Sequence, residues 1–285
     1  MTYRELYEYG VGVLKQADIA EAELDARLLL EYVCRTDRNA LLVHGERVRS
    51  PIEEEFYKIA IDKRRQRIPL QHITGEQVFM GLVFEVNEHT LIPRQDTEIL
   101  VEEAMRYLGD GMRILDVCTG SGCILLSLLK YSNECEGIGI DISEEALLVA
   151  RENARRLCLD AVFLCGDLFE PLAGFVSDKT SDRLFDIVIS NPPYIPSGVI
   201  PTLMPEVKDH EPPAALDGME DGLYFYRKIA QKAPLYMRKS GLLFFEIGYD
   251  QAEAVSGILR ENGFGRIEVV KDYAGLDRVI KAELG

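Results

Sequence analysis

The chain has 285 residues, 47% of them apolar and 28% charged, and its 32 basic against 48 acidic side chains give a formal net charge of −16. That length suggests about two domains, and the acidity argues against a protein built to grip a nucleic-acid backbone, which normally carries a basic patch or domain. No apolar run approaches the roughly 18–20 residues of a membrane helix, and the start, Met1-Thr2-Tyr3-Arg4-Glu5-Leu6, lacks the apolar core of a signal peptide.

The expectation is therefore a cytoplasmic protein. Its six cysteines form no C-x-x-C pair and its four histidines are scattered. They are read as reduced thiols packed as small hydrophobes, with no metal site.

The first 70 residues predict helices joined by short turns. Between Ala22 and Tyr32, the residues Leu24, Leu28 and Tyr32 recur four apart with Leu29 beside them, which is helical spacing. Ser50-Pro51-Ile52-Glu53 has the form of a helix start, with Ser as N-cap, Pro in the first turn and Glu three residues on. That helix is predicted to run to about Arg67. The basic run Lys63-Arg64-Arg65-Gln66-Arg67 at its end reads first as a solvated helix end complementing the dipole, and second as a surface for an acidic partner or RNA.

Val78 to Val86 is rich in β-formers around a glycine and predicts a short hairpin bridging two domains. Ile92-Pro93-Arg94 then leads into a helix from Asp96 to Leu108.

From Arg113 strands and helices alternate. Strands are predicted at Arg113–Cys118, Gly137–Ile142, Ala161–Cys165, Phe185–Ser190 and Gly241–Ile247. Helices are predicted at Gly122–Lys130, after the Ser143 cap, at Gly222–Ala233 and at Gln251–Glu261. Such alternation means an α/β fold with a parallel sheet covered on both faces. Ile267–Lys271 and Arg278–Leu284 close the chain as an antiparallel pair, which brings the sheet to seven strands.

In such a sheet, ligands bind beyond the carboxyl ends of the strands near the switch point. The loop there is Asp116-Val117-Cys118-Thr119-Gly120-Ser121-Gly122, whose glycines let backbone approach a ligand closely. Asp141 ends the next strand, where a carboxylate can accept both hydroxyl protons of a ribose. A dinucleotide fold shares this much, but its third glycine would stand at position 125, and this chain has Leu125. S-adenosylmethionine has no phosphate and does not need that glycine, and its ammonium and sulfonium suit an acidic site. Asp116 is placed to serve the ammonium, directly or through water, and Asp167 to face the adenine amine.

Asn191-Pro192-Pro193-Tyr194 follows the fourth strand. An amide or exocyclic amine is a poor nucleophile because its lone pair is delocalised, so two hydrogen-bond acceptors aimed at its N–H protons would help its nitrogen attack a methyl sulfonium. The prolines carry no N–H, so the Asn191 side-chain oxygen and the Pro192 carbonyl are the natural acceptors. Proline also stiffens the loop in advance of binding, and Tyr194 offers a flat face to a planar group. The scheme needs no strong general base, because the nitrogen turns acidic as it gains the methyl group.

At these residues the chain closely resembles the release factor glutamine methyltransferases over nearly its whole length. The matching blocks are Leu70-Gln71-His72-Ile73-Thr74-Gly75-Glu76, Ile92-Pro93-Arg94-Gln95-Asp96-Thr97-Glu98, Thr119 to Gly122, Ser190 to Pro196, Ala215-Leu216-Asp217-Gly218, Asp221-Gly222 and Glu246-Ile247-Gly248-Tyr249. The resemblance implies methylation of N5 of the glutamine in the Gly-Gly-Gln loop of class 1 peptide chain release factors.

It also implies a helical N-terminal, substrate-recognising domain over residues 1–74, a hairpin linker over 75–92, and a class I, Rossmann-like S-adenosylmethionine methyltransferase domain over 93–285. Carried over by position, Cys118 to Gly122, Asp141, Leu168 and Asn191 would touch the cofactor, and Asn191, Pro192, Pro193 and Tyr194 would hold the glutamine. The chain departs from the family pattern at Cys118, where Gly is common, at Leu168, where a Trp often packs on the adenine, and at Gln95, where Pro is usual.

The expected partner is the release factor, met by a monomer without membrane or stable nucleic-acid association. The alternative is an N-methyltransferase acting on an exocyclic amine of a nucleic-acid base, since the Asn-Pro-Pro-Tyr tetrapeptide alone is shared with such enzymes. A release-factor-binding module without turnover and a nicotinamide dehydrogenase are the weaker readings. Arg94 is read as a surface ion-pair partner or a shaper of the substrate mouth. Glu246 is held equally structural and functional, and His210 and Glu211 are read as loop-shaping.

Overall fold

The computed structural model describes residues 1–173 and 184–285, which separate into two compact units. One comprises Met1–Glu76 together with Met204–His210, and the other comprises Gln77–Leu203 with Glu211–Gly285.

The first unit is built on α1 (Tyr3–Gln16), α2 (Ala22–Cys34), α3 (Arg38–Val43), α4 (Pro51–Arg65) and α5 (Leu70–Thr74), joined by the short α6 (Pro205–Lys208). Leu6, Leu14, Leu29, Leu30, Tyr57 and Ile61 are all buried and share one core. The capping box predicted at Ser50 and Glu53 starts α4, and its last turn passes into Arg67 at a left-handed φ of 69°.

The basic run at the end of α4 does not lie wholly in solvent. Arg64 falls three and four residues after Ile61 and Ala60, on the inward face of the helix, and it is 8% exposed. It bonds Asp25 at 2.7 Å and Glu206 at 3.0 Å.

The second unit opens with a hairpin, β1 (Glu76–Phe79) and β2 (Leu82–Glu85). Met80 and Gly81 form its turn, both at positive φ, which suits the right-handed twist of paired strands. Phe79 and Phe84 are buried and meet edge to face, with their centroids 6.1 Å apart.

The helices of this unit are α7 (Gln95–Met105), α8 (Cys123–Lys130), α9 (Glu144–Leu157), α10 (Pro213–Leu216), α11 (Tyr224–Lys232) and α12 (Ala252–Glu261). The strands are β3 (Arg113–Val117), β4 (Glu136–Asp141), β5 (Val162–Cys165), β6 (Phe185–Ser190), β7 (Met237–Glu246), β8 (Phe264–Lys271) and β9 (Asp277–Leu284). They form one seven-stranded sheet in the order β5-β4-β3-β6-β7-β9-β8.

All pairs from β5 to β7 are parallel, while β9 runs antiparallel to both neighbours. The closing pair is thus antiparallel as expected, with β9 inserted next to β7 and β8 at the edge. Alternate residues serve opposite faces: Ile114, Ile187 and Phe244 enter one buried cluster, and Leu115, Val188 and Leu243 enter another. A sheet covered on both faces accounts for strands that read as near-continuous apolar runs.

β3 pairs with β4 on one side and β6 on the other, and from it the chain winds in opposite directions. The carboxyl ends of these three strands carry the glycine loop, Asp141 and Asn191. Among the described residues, no helix is long and apolar enough to cross a membrane.

Candidate active site

A cavity of about 510 Å³ opens at the strand ends of the second unit. Cys118, Thr119, Gly120, Ser121, Asp141, Asp167, Leu168, Asn191 and Pro193 line it. Asp116, Gly122, Pro192 and Tyr194 adjoin these residues in sequence but are not among the lining residues.

The glycine loop is held down by polar bonds from both flanking strands. The Thr119 hydroxyl donates to Asp116 Oδ2 at 2.6 Å, and the Thr119 N–H donates to the Ile140 carbonyl at 3.0 Å. The Gly120 N–H donates to Asp141 Oδ2 at 2.8 Å, and the Ser143 N–H donates to Asp141 Oδ1 at 3.0 Å. Gly139, on β4, makes room for the crossing, because a Cβ there would lie 2.8 Å from the Phe163 ring and 3.0 Å from Thr119 Oγ1.

Gly120 has a φ of 55° and no atom within 4 Å of where a Cβ would sit. Cys118 and Leu168 hold left-handed φ values of 62° and 51°, a conformation that disfavours a side chain. Burial pushes the Cys118 thiol well up, with the nearby aspartates adding to it, so it stays protonated and unreactive.

The acidic groups fit a cationic nucleoside. Burial pushes the Asp116 carboxyl up to about 7, against the hydroxyl of Thr119 and with the charge of Asp141 adding to the rise. Its Oδ1 has no hydrogen-bond partner among the described residues. Asp141 is also raised by burial, opposed by the backbone N–H groups it accepts from. Buried acids balanced only by dipoles favour an incoming positive charge. Asp141 keeps lone pairs beyond those its N–H partners use, as a ribose diol needs. S-adenosylmethionine therefore fits the residues present.

The Asn191 loop is braced from behind. Pro192 and Pro193 are buried. Ile195 forms a parallel bridge with Asp217, and Gln251 Nε2 donates to the Tyr194 carbonyl at 3.0 Å. Asn191 Nδ2 donates to Thr97 Oγ1 at 3.4 Å, and the Thr97 hydroxyl donates to Glu246 Oε2 at 2.6 Å. The Tyr194 hydroxyl donates to Glu246 Oε1 at 3.3 Å. Thr97 and Glu246 are almost fully buried, and burial raises the Glu246 carboxyl despite these donors.

Two features of the site escaped the sequence reading, and the ion-pair reading of Arg94 lacked its partner. Thr97, part of the matching block at 92–98, received no role of its own. Asn153, on α9, donates to the carbonyls of Ser121 and Glu85 and accepts from the Glu85 N–H, tying the hairpin to the glycine loop. Glu211 is buried, and both its oxygens accept from Arg94 Nη2 at 2.7 Å, so Arg94 enters the cavity wall as one half of an ion pair. Helical spacing or a β-rich run could not signal these contacts.

Residues 5–75 match the family model described as PrmC N-terminal domain, and residues 108–244 match a methyltransferase domain. The chain is 38% identical to the release factor glutamine methyltransferase of Geobacter sulfurreducens over 100% of its own length and 97% of the relative's. It is 42% identical to the enzyme of that name from Clostridium acetobutylicum over 96% and 95%. A methyltransferase crystal structure from Pyrococcus furiosus aligns with a TM-score of 0.54 at 16% identity, covering 79% of this chain and 99% of that one, which shows the shared fold. Sequence, sheet order and cavity agree that the chain is an S-adenosylmethionine-dependent methyltransferase belonging to the release factor glutamine methyltransferase family.

Proposed function

We propose that this enzyme methylates N5 of the glutamine in the Gly-Gly-Gln loop of class 1 peptide chain release factors, with Asn191 and the Pro192 carbonyl gripping the two amide hydrogens. The observation that carries the reading is the setting of Asn191. It stands in the wall of the cavity that the glycine loop and Asp141 also line, and its amide nitrogen is turned to Thr97. Its oxygen is left for a substrate N–H.

Bound S-adenosylmethionine supplies an electrophilic methyl carbon on a sulfonium. Asp141 would accept from the ribose hydroxyls, Leu168 would give apolar contact to the adenine with Asp167 beside its amine, and the 118–122 backbone would hold the amino-acid portion. Asp116 acts from behind Thr119. Asn191 and Pro192 draw the carboxamide nitrogen out of conjugation and hold its lone pair towards the cofactor side. Pro193 and Tyr194 keep that loop in place. The proton shed by the methylated nitrogen leaves to water, so catalysis is positioning and electrostatics.

Incubation with labelled cofactor and a purified release factor tests the assignment. Label is expected on the factor and absent when its Gly-Gly-Gln glutamine is replaced, and label that persists after replacement overturns it.

A further inference from the structure

We infer that Glu246, acting through Thr97, decides which end of the Asn191 carboxamide faces the cavity; the inference rests on the functional reading above. The two ends of a carboxamide have nearly the same shape but opposite hydrogen-bonding character. Packing alone can therefore place Asn191 without choosing between oxygen and nitrogen. The choice matters, because only the oxygen can accept from a substrate N–H.

The choice follows from counting protons. A threonine hydroxyl has one hydrogen to give. An ionised carboxylate only accepts, so at 2.6 Å the Thr97 hydrogen goes to Glu246 Oε2. Thr97 Oγ1 then has only lone pairs left, and a neighbour 3.4 Å away must donate to it. That neighbour is the Asn191 NH2 group, which leaves Oδ1 on the other side. Protonation of Glu246 lets it donate to Thr97 and reverses the chain: Thr97 then donates to Oδ1, and an NH2 group confronts the substrate amide.

Groups from five elements surround the Glu246 carboxylate. Arg278, on β9, stabilises its negative charge and so opposes its protonation, and the Tyr194 hydroxyl donates to it. Asp96, on α7, works the other way. The Tyr226 hydroxyl, on α11, donates to the Glu246 backbone carbonyl, and the Cys123 thiol, on α8, lies within its field. Thr97 also lines the cavity, but it and Glu246 are positioning residues that act through Asn191.

The test compares Thr97→Val with Thr97→Ser in the full chain. Thr97→Val removes the hydroxyl at nearly constant shape and is expected to lower kcat about 10- to 100-fold. KM for the release factor and cofactor affinity should each change less than about threefold. Thr97→Ser restores most of the loss. The wild-type rate falls as pH drops through the raised Glu246 pKa; Thr97→Ser keeps this acid limb and Thr97→Val flattens it.

A second readout needs no turnover. The Asn191 side-chain NH2 resonances of the free protein should exchange more quickly in Thr97→Val and return to wild-type behaviour in Thr97→Ser. Unchanged kcat and unchanged exchange in Thr97→Val overturn the relay, as does failure of Thr97→Ser to rescue. Absence of label on the release factor from the wild type sinks the substrate assignment instead, while the exchange measurement still judges the relay.

Discussion

In the helical unit, the buried charge of Arg64 faces Asp25 at 2.7 Å and Glu206 at 3.0 Å, so cation and anions are closed on one another. In the methyltransferase unit, Asp116 and Asp141 stand at the ends of adjacent parallel strands, and the bonds that hold them come from backbone N–H groups and one hydroxyl. The first arrangement is complete in the free chain. The second leaves negative charge that only a ligand can match. Buried charge thus serves architecture where it is paired within the chain and recognition where it is balanced by dipoles alone.

Removing the cation of the closed arrangement should have the largest effect. Arg64→Met strands Asp25 without a guanidinium, while Glu206 keeps Arg67 at 3.3 Å, and is expected to destabilise the helical unit by about 3–5 kcal/mol. Urea unfolding followed by circular dichroism measures this, and Asp25→Asn in the same chain should recover part of the loss. A loss below about 1 kcal/mol would mean that the pairing is not architectural.

On the recognition side, Asn191→Ala is expected to lower kcat about 10²- to 10³-fold while the thermal midpoint moves by less than about 4 °C. Turnover at the wild-type rate would end the two-acceptor mechanism. Asp141→Ala, which also frees the Gly120 and Ser143 N–H groups, should weaken cofactor binding about 10- to 100-fold by calorimetry. An unchanged affinity would remove Asp141 from the ribose site.

The smallest effect sharpens the comparison most. Asp116 titrates near 7 in the free protein, and a bound cation favours its ionised form, so binding should release a proton. Below pH 7 the affinity should rise by at most about tenfold per pH unit and then level off above it. Calorimetry from pH 6 to 8, in buffers of different ionisation enthalpy, detects both effects. A flat affinity across that range contradicts an ammonium-facing role for Asp116.

What could be read before folding was local in the chain. Thr119 to Gly122 and Asp141 are close enough in sequence for strand, glycine turn and acidic strand end to declare themselves together, and the Ser50 capping box spans one helical turn. Arg64 was misread because a cation near a helix end suits solvent equally well, and only its place three and four residues after Ile61 and Ala60 turns it inward. Thr97 and Glu246 are 149 residues apart, and no spacing rule joins them. Met204–His210, read as part of the methyltransferase domain, clusters with the helical unit, and nothing in its composition announces that.

The placement of β9 has a consequence for biosynthesis. It follows every other strand in the chain, yet it lies between β7 and β8 rather than at a sheet margin. While the chain is being made, the flank of β7 offers bare amides and carbonyls until residues 277–284 leave the ribosome, a template for mispairing. Arg278 arrives with that same strand, so Glu246 lacks its guanidinium neighbour until then. A methyltransferase of this family thus lacks part of its catalytic unit until residues 277–284 have been made.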